Sequence, residues 1–157
     1  MVVAVRRKHL TRVGRNNQTI QERPEAQKMP TAKIYGLRTE IEPVQDAMSD
    51  AIHDCIAEAL SFPKEKRLQR FILLDEKDFR YGQGRTSKYT VIEIAFFEGR
   101  STETVKNLIN MLYDRVPAAT GIPRDMIDII IQEIPKTRWG LMGRIGDEQD
   151  LGYEVSV

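Results

Sequence analysis

Residues 89–134 read YTVIEIAFFEGRSTETVKNLINMLYDRVPAATGIPRDMIDIIIQEI, and the order of patterns in this stretch decides the fold. Tyr89–Phe97 is dense in β-branched and aromatic residues and reads as a strand. Ser101 or Thr102 is placed to cap a helix, with Glu103 and Thr104 in its first turn. Val105, Leu108, Ile109, Leu112 and Val116 follow at three- and four-residue steps, which is an apolar stripe down one helix face. Pro117 is expected to end or kink that helix, because it lacks an amide donor and its ring clashes with the preceding turn. Met126–Ile134 is a nearly continuous apolar run, the pattern of a strand covered on both faces. Strand, helix and strand in this order form a β-α-β unit, whose two strands run parallel with a right-handed crossover.

Working outward, the same pattern stands upstream. Thr31–Leu37 reads as a strand. Pro43 suits a helix first turn. Val44, Ala47, Met48, Ala51, Ile52, Cys55, Ile56, Ala59 and Leu60 then give one wide apolar stripe over a helix from about 43 to 61, ended by Pro63. Leu68–Leu74 reads as a second strand, and Asp75–Lys88, with Gly82 and Gly84, as a loop. The two halves align without a gap at an offset of 60: Met48 falls on Leu108, Ala51 on Met111, Ile52 on Leu112, Ile56 on Val116 and Pro63 on Pro123. The expected fold is therefore α+β. Two fused β-α-β repeats, about 30–88 and 89–143, build a four-stranded sheet with both helices on one face. The tail 144–157 ends in GYEVSV, a candidate short fifth strand. Nothing in the chain is left to cover the other face of the sheet, so oligomerisation is its natural cover.

Composition narrows the class. A chain of 157 residues that is 41% apolar and 30% charged can build a core, which excludes a disordered or collagen-like chain. No run approaches the roughly 18 apolar residues of a membrane span, so no membrane partner is expected. The single Cys55 excludes a disulfide framework and fits a reducing, cytoplasmic setting. Two histidines, His9 and His53, are too few for a His-based metal centre. Gly82-Gln83-Gly84 lacks the full phosphate-cradle pattern. The net charge of +1 hides an asymmetry: residues 1–28 carry +5 and residues 29–157 carry −4. This basic extension reads as a solvated arm, a transit-like leader, or sequence upstream of a true start at Met29. It holds no interleaved aromatics, so nucleic acid is not expected as its partner.

The doubled frame, with Met29-Pro30 opening its first strand, resembles the tautomerase superfamily, in the longer form where two 4-oxalocrotonate tautomerase-like repeats are fused, as in the malonate semialdehyde decarboxylase-like members. The likeness covers residues 29–157. Phe97-Glu98-Gly99-Arg100-Ser101 resembles the segment whose Arg binds substrate carboxylate. Ile134–Gly143 (IPKTRWGLMG) resembles the segment whose aromatic residue, here Trp139, walls the active site. The resemblance implies a homotrimer acting on a small carboxylated substrate, with no cofactor and no metal. It also implies that Pro30 is the catalytic base and Arg100 the anion binder. Departures bear on the reaction. Glu40 stands where the second repeat has Arg100, with Arg38 as the nearest substitute. Lys66 and Glu98 stand where decarboxylase-type members carry Asp and Arg, which leaves simple proton transfer as the expected reaction over decarboxylation or hydration.

The chemistry follows from the residue types. An amino-terminal proline carries a secondary amine, whose protonated form is disfavoured by an apolar pocket and by nearby cations. Such a base takes a proton from carbon beside a carbonyl and returns it elsewhere. A guanidinium holds carboxylate or enolate oxygen with two parallel donors. Arg67 or Arg70 is a candidate second carboxylate binder from a neighbouring subunit; Arg138 and Arg85 are weaker ones, and Tyr81 is a candidate phenolic acid. Each has a plain alternative as a surface or core residue. His53 is expected to be exposed and Cys55 to be a small core residue. The role of Pro30 requires it to be the first residue, since with residues 1–29 attached its nitrogen is a tertiary amide. The expectation is that the mature protein begins at Pro30, by start at Met29 or by cleavage.

Overall fold

A computed structural model describes residues 30–148. The expectations for the basic extension, the segment GYEVSV and the tail beyond Glu148 lie outside the described residues. The first repeat comprises β1 (Thr31–Leu37), a single turn α1 (Arg38–Ile41), a 3-10 turn (Glu42–Val44), α2 (Gln45–Ala59) and β2 (Gln69–Leu74). The second comprises β3 (Thr90–Phe97), α3 (Thr102–Thr120), a 3-10 turn (Arg124–Met126) and β4 (Ile127–Ile134). A two-stranded ribbon, β5 (Gly140–Leu141) with β6 (Arg144–Ile145), follows.

The sheet order is β2-β1-β3-β4. Each repeat pairs its own strands in parallel, β1 with β2 and β3 with β4, and the repeats join through antiparallel β1–β3 pairing. Antiparallel union of two like units about a central strand pair places the start of β1 at the same end of the sheet as the ends of β3 and β4. Thr31 pairs with Ala95, Ala32 with Gln69, and Phe97 with Ile134. This register decides which residues can meet.

Both helices lie on the face that carries Ala32, Ile34, Ile92 and Ile94. These pack with Met48, Ile52 and Cys55 of α2 and Leu108, Leu112 and Val116 of α3, all fully buried. Burying each aliphatic side chain of this size contributes roughly 1.5–3 kcal/mol. The residues that follow the two helices match as well: Phe62 and Ile122, an offset of 60 apart, are both buried. Every residue of the core cluster lies between Ala32 and Ile127. On the opposite face Lys33, Tyr35, Val91, Glu93 and Ala95 are half-buried and Ile130 is 44% exposed.

Three expectations are corrected, and the open face of β4 is noted with them. Pro43 sits in the 3-10 turn, so the long first helix starts at Gln45 rather than at 43. Pro117 does not end α3. The helix continues to Thr120 and stops at Gly121, whose φ of 73° suits a glycine and whose amide donates to the Pro117 carbonyl. β4 is an edge strand: Ile129 and Ile131 pack on the core while Ile130 points to the face that a single chain leaves open. His53 is buried, and its Nε2 donates to the Lys64 carbonyl at 2.7 Å. The chain after α2 folds back along the helix flank and covers the ring.

Candidate active site

Pro30 is buried and leads directly into Thr31. A cleft of about 360 Å³ opens beside them, lined by Thr31, Arg67, Leu68, Arg70, Trp139, Gly140, Leu141 and Met142. Three pieces of chain converge here because of the register. β1 begins at this end, the segment leading into β2 arrives at it, and the segment leaving β4 departs from it.

Among the described residues, two guanidiniums line the cleft and no carboxylate does. They differ in what holds them. Arg67 Nη1 donates to Asp50 Oδ1 at 2.7 Å and to Ser49 Oγ at 3.1 Å, so its charge is matched by a carboxylate on α2. Arg70 Nη1 donates to the neutral Thr31 hydroxyl at 2.8 Å. Arg70 follows Gln69, whose side chain bonds Ser49 on the helix face, so strand alternation turns Arg70 to the other face of the sheet with Thr31 and Lys33.

The far wall is apolar. Trp139 stands edge-on to Phe97 with ring centroids 5.2 Å apart. Its carbonyl accepts from the Gly146 amide at 2.8 Å, which ties the ribbon back under the ring. Gly146 is pressed so closely that a Cβ would lie 2.6 Å from the Lys136 carbonyl oxygen and 3.0 Å from the Phe97 ring. The ribbon turns through Met142 and Gly143, with φ of 48° and 81°. Two successive positive φ angles match a type I′ hairpin turn. Met142 is 73% exposed at the cleft mouth.

Of the residues singled out from the sequence, the structure brings Arg67, Arg70 and Trp139 to one cleft beside Pro30. Arg100 follows β3 at the same end of the sheet, with its Nε and Nη1 shielded from solvent, and is not among the cleft-lining residues. Arg138 is exposed on the 3-10 turn Lys136–Arg138, outside the lining. Within the chain Tyr81 lies at the opposite end of the sheet from Pro30, clustered with Phe79 and Tyr89 at centroid separations of 5.9 and 6.0 Å. Arg38 is also at that end, donating to the Leu73 carbonyl, and Glu40 there accepts from Ser87. Sequence reasoning misses Leu68, Leu141 and Met142 as cleft residues. Only the IPKTRWGLMG stretch holds a signal for the last two.

A second cavity of about 490 Å³, lined by Arg85, Tyr113, Arg124, Asp125, Ile127 and Asp128, sits at the opposite end. It is the counterpart of the first, since Ile127 and Asp128 stand 60 residues after Arg67 and Leu68. Its chemistry differs. Arg85 is paired with Asp128 at 2.7 Å and Arg124 with Asp114 at 3.0 Å. Thr90, whose hydroxyl donates to the Lys88 carbonyl, stands in place of Pro30. Asp128 also accepts from Tyr89 Oη at 2.7 Å; burial, the larger cause, and that bond raise the Tyr89 pKa. Among the described residues no group of three or more His, Cys, Asp or Glu could hold a metal ion, and no helix is long and apolar enough to cross a membrane.

Comparison with known proteins agrees with this architecture. A family model described as tautomerase enzyme matches residues 66–142, from the approach to β2 through the cleft wall. A probable tautomerase of Ralstonia nicotianae is 38% identical over 53 residues, which is 34% of this chain and 76% of that protein. A fused 4-OT, solved as an asymmetric trimer, superposes with a TM-score of 0.68 at 21% identity, covering 76% of this chain and 98% of that one. A malonate semialdehyde decarboxylase superposes with a TM-score of 0.63 at 20% identity, covering 73% and 92%. At these identities the solved structures speak to the fold, whereas the curated relative speaks to descent. The chain belongs to the tautomerase superfamily.

Proposed function

We propose that the protein is a cofactor-independent tautomerase that moves a proton between carbon and oxygen, or between carbons, of a small keto or enol carboxylic acid, with Pro30 as the base at the amino terminus of the mature chain. The observation that carries this reading is a buried Pro30 beside a cleft lined by two guanidiniums and an indole, with no carboxylate among its described residues. The proline nitrogen accepts a proton from one position of the substrate and delivers it to another, so no net charge is gained or lost. Nearby cations and burial favour the neutral amine that this step needs. Arg100, at the same end of the sheet but outside the lining of this chain's own cleft, is the proposed stabiliser of the enolate oxygen, which requires it to turn toward the bound substrate, and Trp139 excludes water, which strengthens that interaction.

The partner state is a homotrimer. The sheet face opposite the helices exposes Ile130 and leaves Val91 half-buried, and a fused relative of the same fold is itself trimeric.

Enol-to-keto conversion of phenylenolpyruvate tests the reading on three proteins: the chain begun at Pro30, its Pro30→Ala variant, and the full 157-residue chain. The first is expected to exceed the second by about 100-fold or more, and the third to match the second unless it is processed. Equal rates for the chain begun at Pro30 and its Pro30→Ala variant would reject the tautomerase mechanism and leave a non-catalytic protein of this fold.

A further inference from the structure

We propose that Met142 is a specificity-determining residue, held over the mouth of the cleft to cover the apolar far end of the substrate, and that the substrate is a keto or enol acid bearing an aryl or branched-alkyl group rather than a short, unsubstituted one. The proposal rests on reading this cleft as the substrate site, and it goes further by naming the substrate class and the residue that selects it.

Met142 is set against two local preferences at once. With Gly143 it forms the turn of the β5–β6 hairpin, at φ of 48° and 81°, and left-handed backbone at both central positions favours Asn-Gly or Gly-Gly. A methionine in that conformation is strained, because its Cβ crowds the adjacent carbonyl. Its side chain is also left in water: among the described residues Met142 is the most exposed of the large apolar side chains, and it packs on no residue of the core cluster. A residue that breaks local rules without a compensating contact in its own chain points to a contact made with something else. Met142 lines the cleft, so that contact falls to what the cleft holds.

The cleft has room for an apolar end. Its volume is about 360 Å³, and sites that enclose drug-sized ligands begin at about 300 Å³. Leu68, itself exposed, and Leu141 stand in the same lining. A Cβ at Gly140, between Trp139 and Leu141, would meet no atom within 4 Å, so the wall is recessed there. An aryl or branched-alkyl group in this space takes Leu68, Trp139 and Leu141 as its walls. The unbranched thioether of Met142 adapts its shape to the group it covers.

The test uses Trp139 as reporter, because it is the sole tryptophan of the chain. Its emission is titrated on the full chain with phenylpropionate and with propionate, which share the carboxylate and differ at the apolar end, so the readout depends neither on turnover nor on the state of Pro30. Phenylpropionate is expected to bind at least about tenfold more tightly than propionate. Met142→Asn lowers that preference by about fivefold or more and leaves propionate binding unchanged. It also raises the thermal midpoint by about 1–4 °C, because Asn-Gly suits the turn. Met142→Gly lowers the preference likewise, and Met142→Leu keeps most of it. A more stable chain with a poorer grip on the longer acid separates a ligand contact from a packing role, which would weaken stability and both affinities together. An unchanged preference in Met142→Asn and Met142→Gly, an equal loss for both acids, a lower midpoint in Met142→Asn, or no preference in the unsubstituted chain overturns the assignment. So does a changed mass of Met142→Asn in sedimentation equilibrium, which would give the side chain to an interface between copies. A Pro30-dependent rate with an unresponsive preference removes only the role of Met142; the reverse result removes the reaction and keeps the binding role.

Discussion

Cys55 and His53 stand two residues apart on α2, and both are buried. They show how far single residues can be read. Cys55 lies on the apolar stripe, so its burial follows from helical spacing alone. His53 lies off the stripe, where spacing predicts solvent; it is covered because the segment after α2 returns to accept its N–H at Lys64. No local pattern encodes that return. The two residues also differ in chemical consequence. Burial, the largest cause, pushes the Cys55 thiol up to about 11. The unfolded chain therefore releases this proton first as pH rises, so the contribution to stability is complete below about pH 9 and is lost between about 9 and 11, on the order of 2–3 kcal/mol. Urea midpoints at about pH 8 and about pH 10.5 for the protein and for Cys55→Ala test this, because the variant is expected to show the smaller drop. Tyr35 and Tyr89, both with raised pKa values, lose protons in the same direction in both proteins and cancel in the comparison. A thiol reagent at about pH 8 is expected to label the unfolded chain and not the native one.

At the scale of elements, the strands and helices follow their apolar patterns to within a residue or two, and the departures sit where proline reads as a boundary. In α3 the break falls at Gly121, since the left-handed residue there closes the last turn. Ser101 is the helix cap, its Oγ accepting from the Thr104 amide at 3.1 Å. The ribbon β5–β6 is not legible beyond a glycine-rich tail, because two-residue strands have no periodicity to detect. It matters to the site, since it carries the apolar wall. Gly146 is the position where this element is most constrained. Gly146→Ala forces a methyl group against a backbone carbonyl and the Phe97 ring, at a cost of about 1–3 kcal/mol. The expected result is a thermal midpoint lower by a few degrees and red-shifted Trp139 emission, with the far-ultraviolet circular dichroism of the two main helices preserved. Unchanged emission would show that the ribbon does not depend on that close approach.

For the whole molecule, the 60-residue repeat is a genuine structural repeat. β1, α2 and β2 find their counterparts in β3, α3 and β4, yet the two ends of the sheet have diverged. One holds Pro30 with an arginine bonded to a neutral hydroxyl; the other holds Thr90 with arginines matched by aspartates. The open face of the sheet belongs to this scale too. Ile130→Asp combined with Val91→Asp is expected to lower the mass in sedimentation equilibrium to that of one chain while leaving the fold intact, because neither residue belongs to the core cluster. An unchanged mass would remove this face from the assembly interface.

Apolar periodicity and the 60-residue repeat suffice to specify the β-α-β units, the helix-bearing face of the sheet and the core, because those features depend on spacing along the chain. The segments FEGRS and IPKTRWGLMG carry the family likeness in the same way. Which residues share a cleft depends instead on the antiparallel joining of the repeats and on the strand register, which bring the start of β1 to the end of β4 and send Tyr81 to the far end of the sheet. The different states of Arg67 and Arg70 likewise arise in space: Asp50 and Thr31, 17 and 39 residues away from their partners in the chain, decide which guanidinium meets a carboxylate and which meets a neutral hydroxyl.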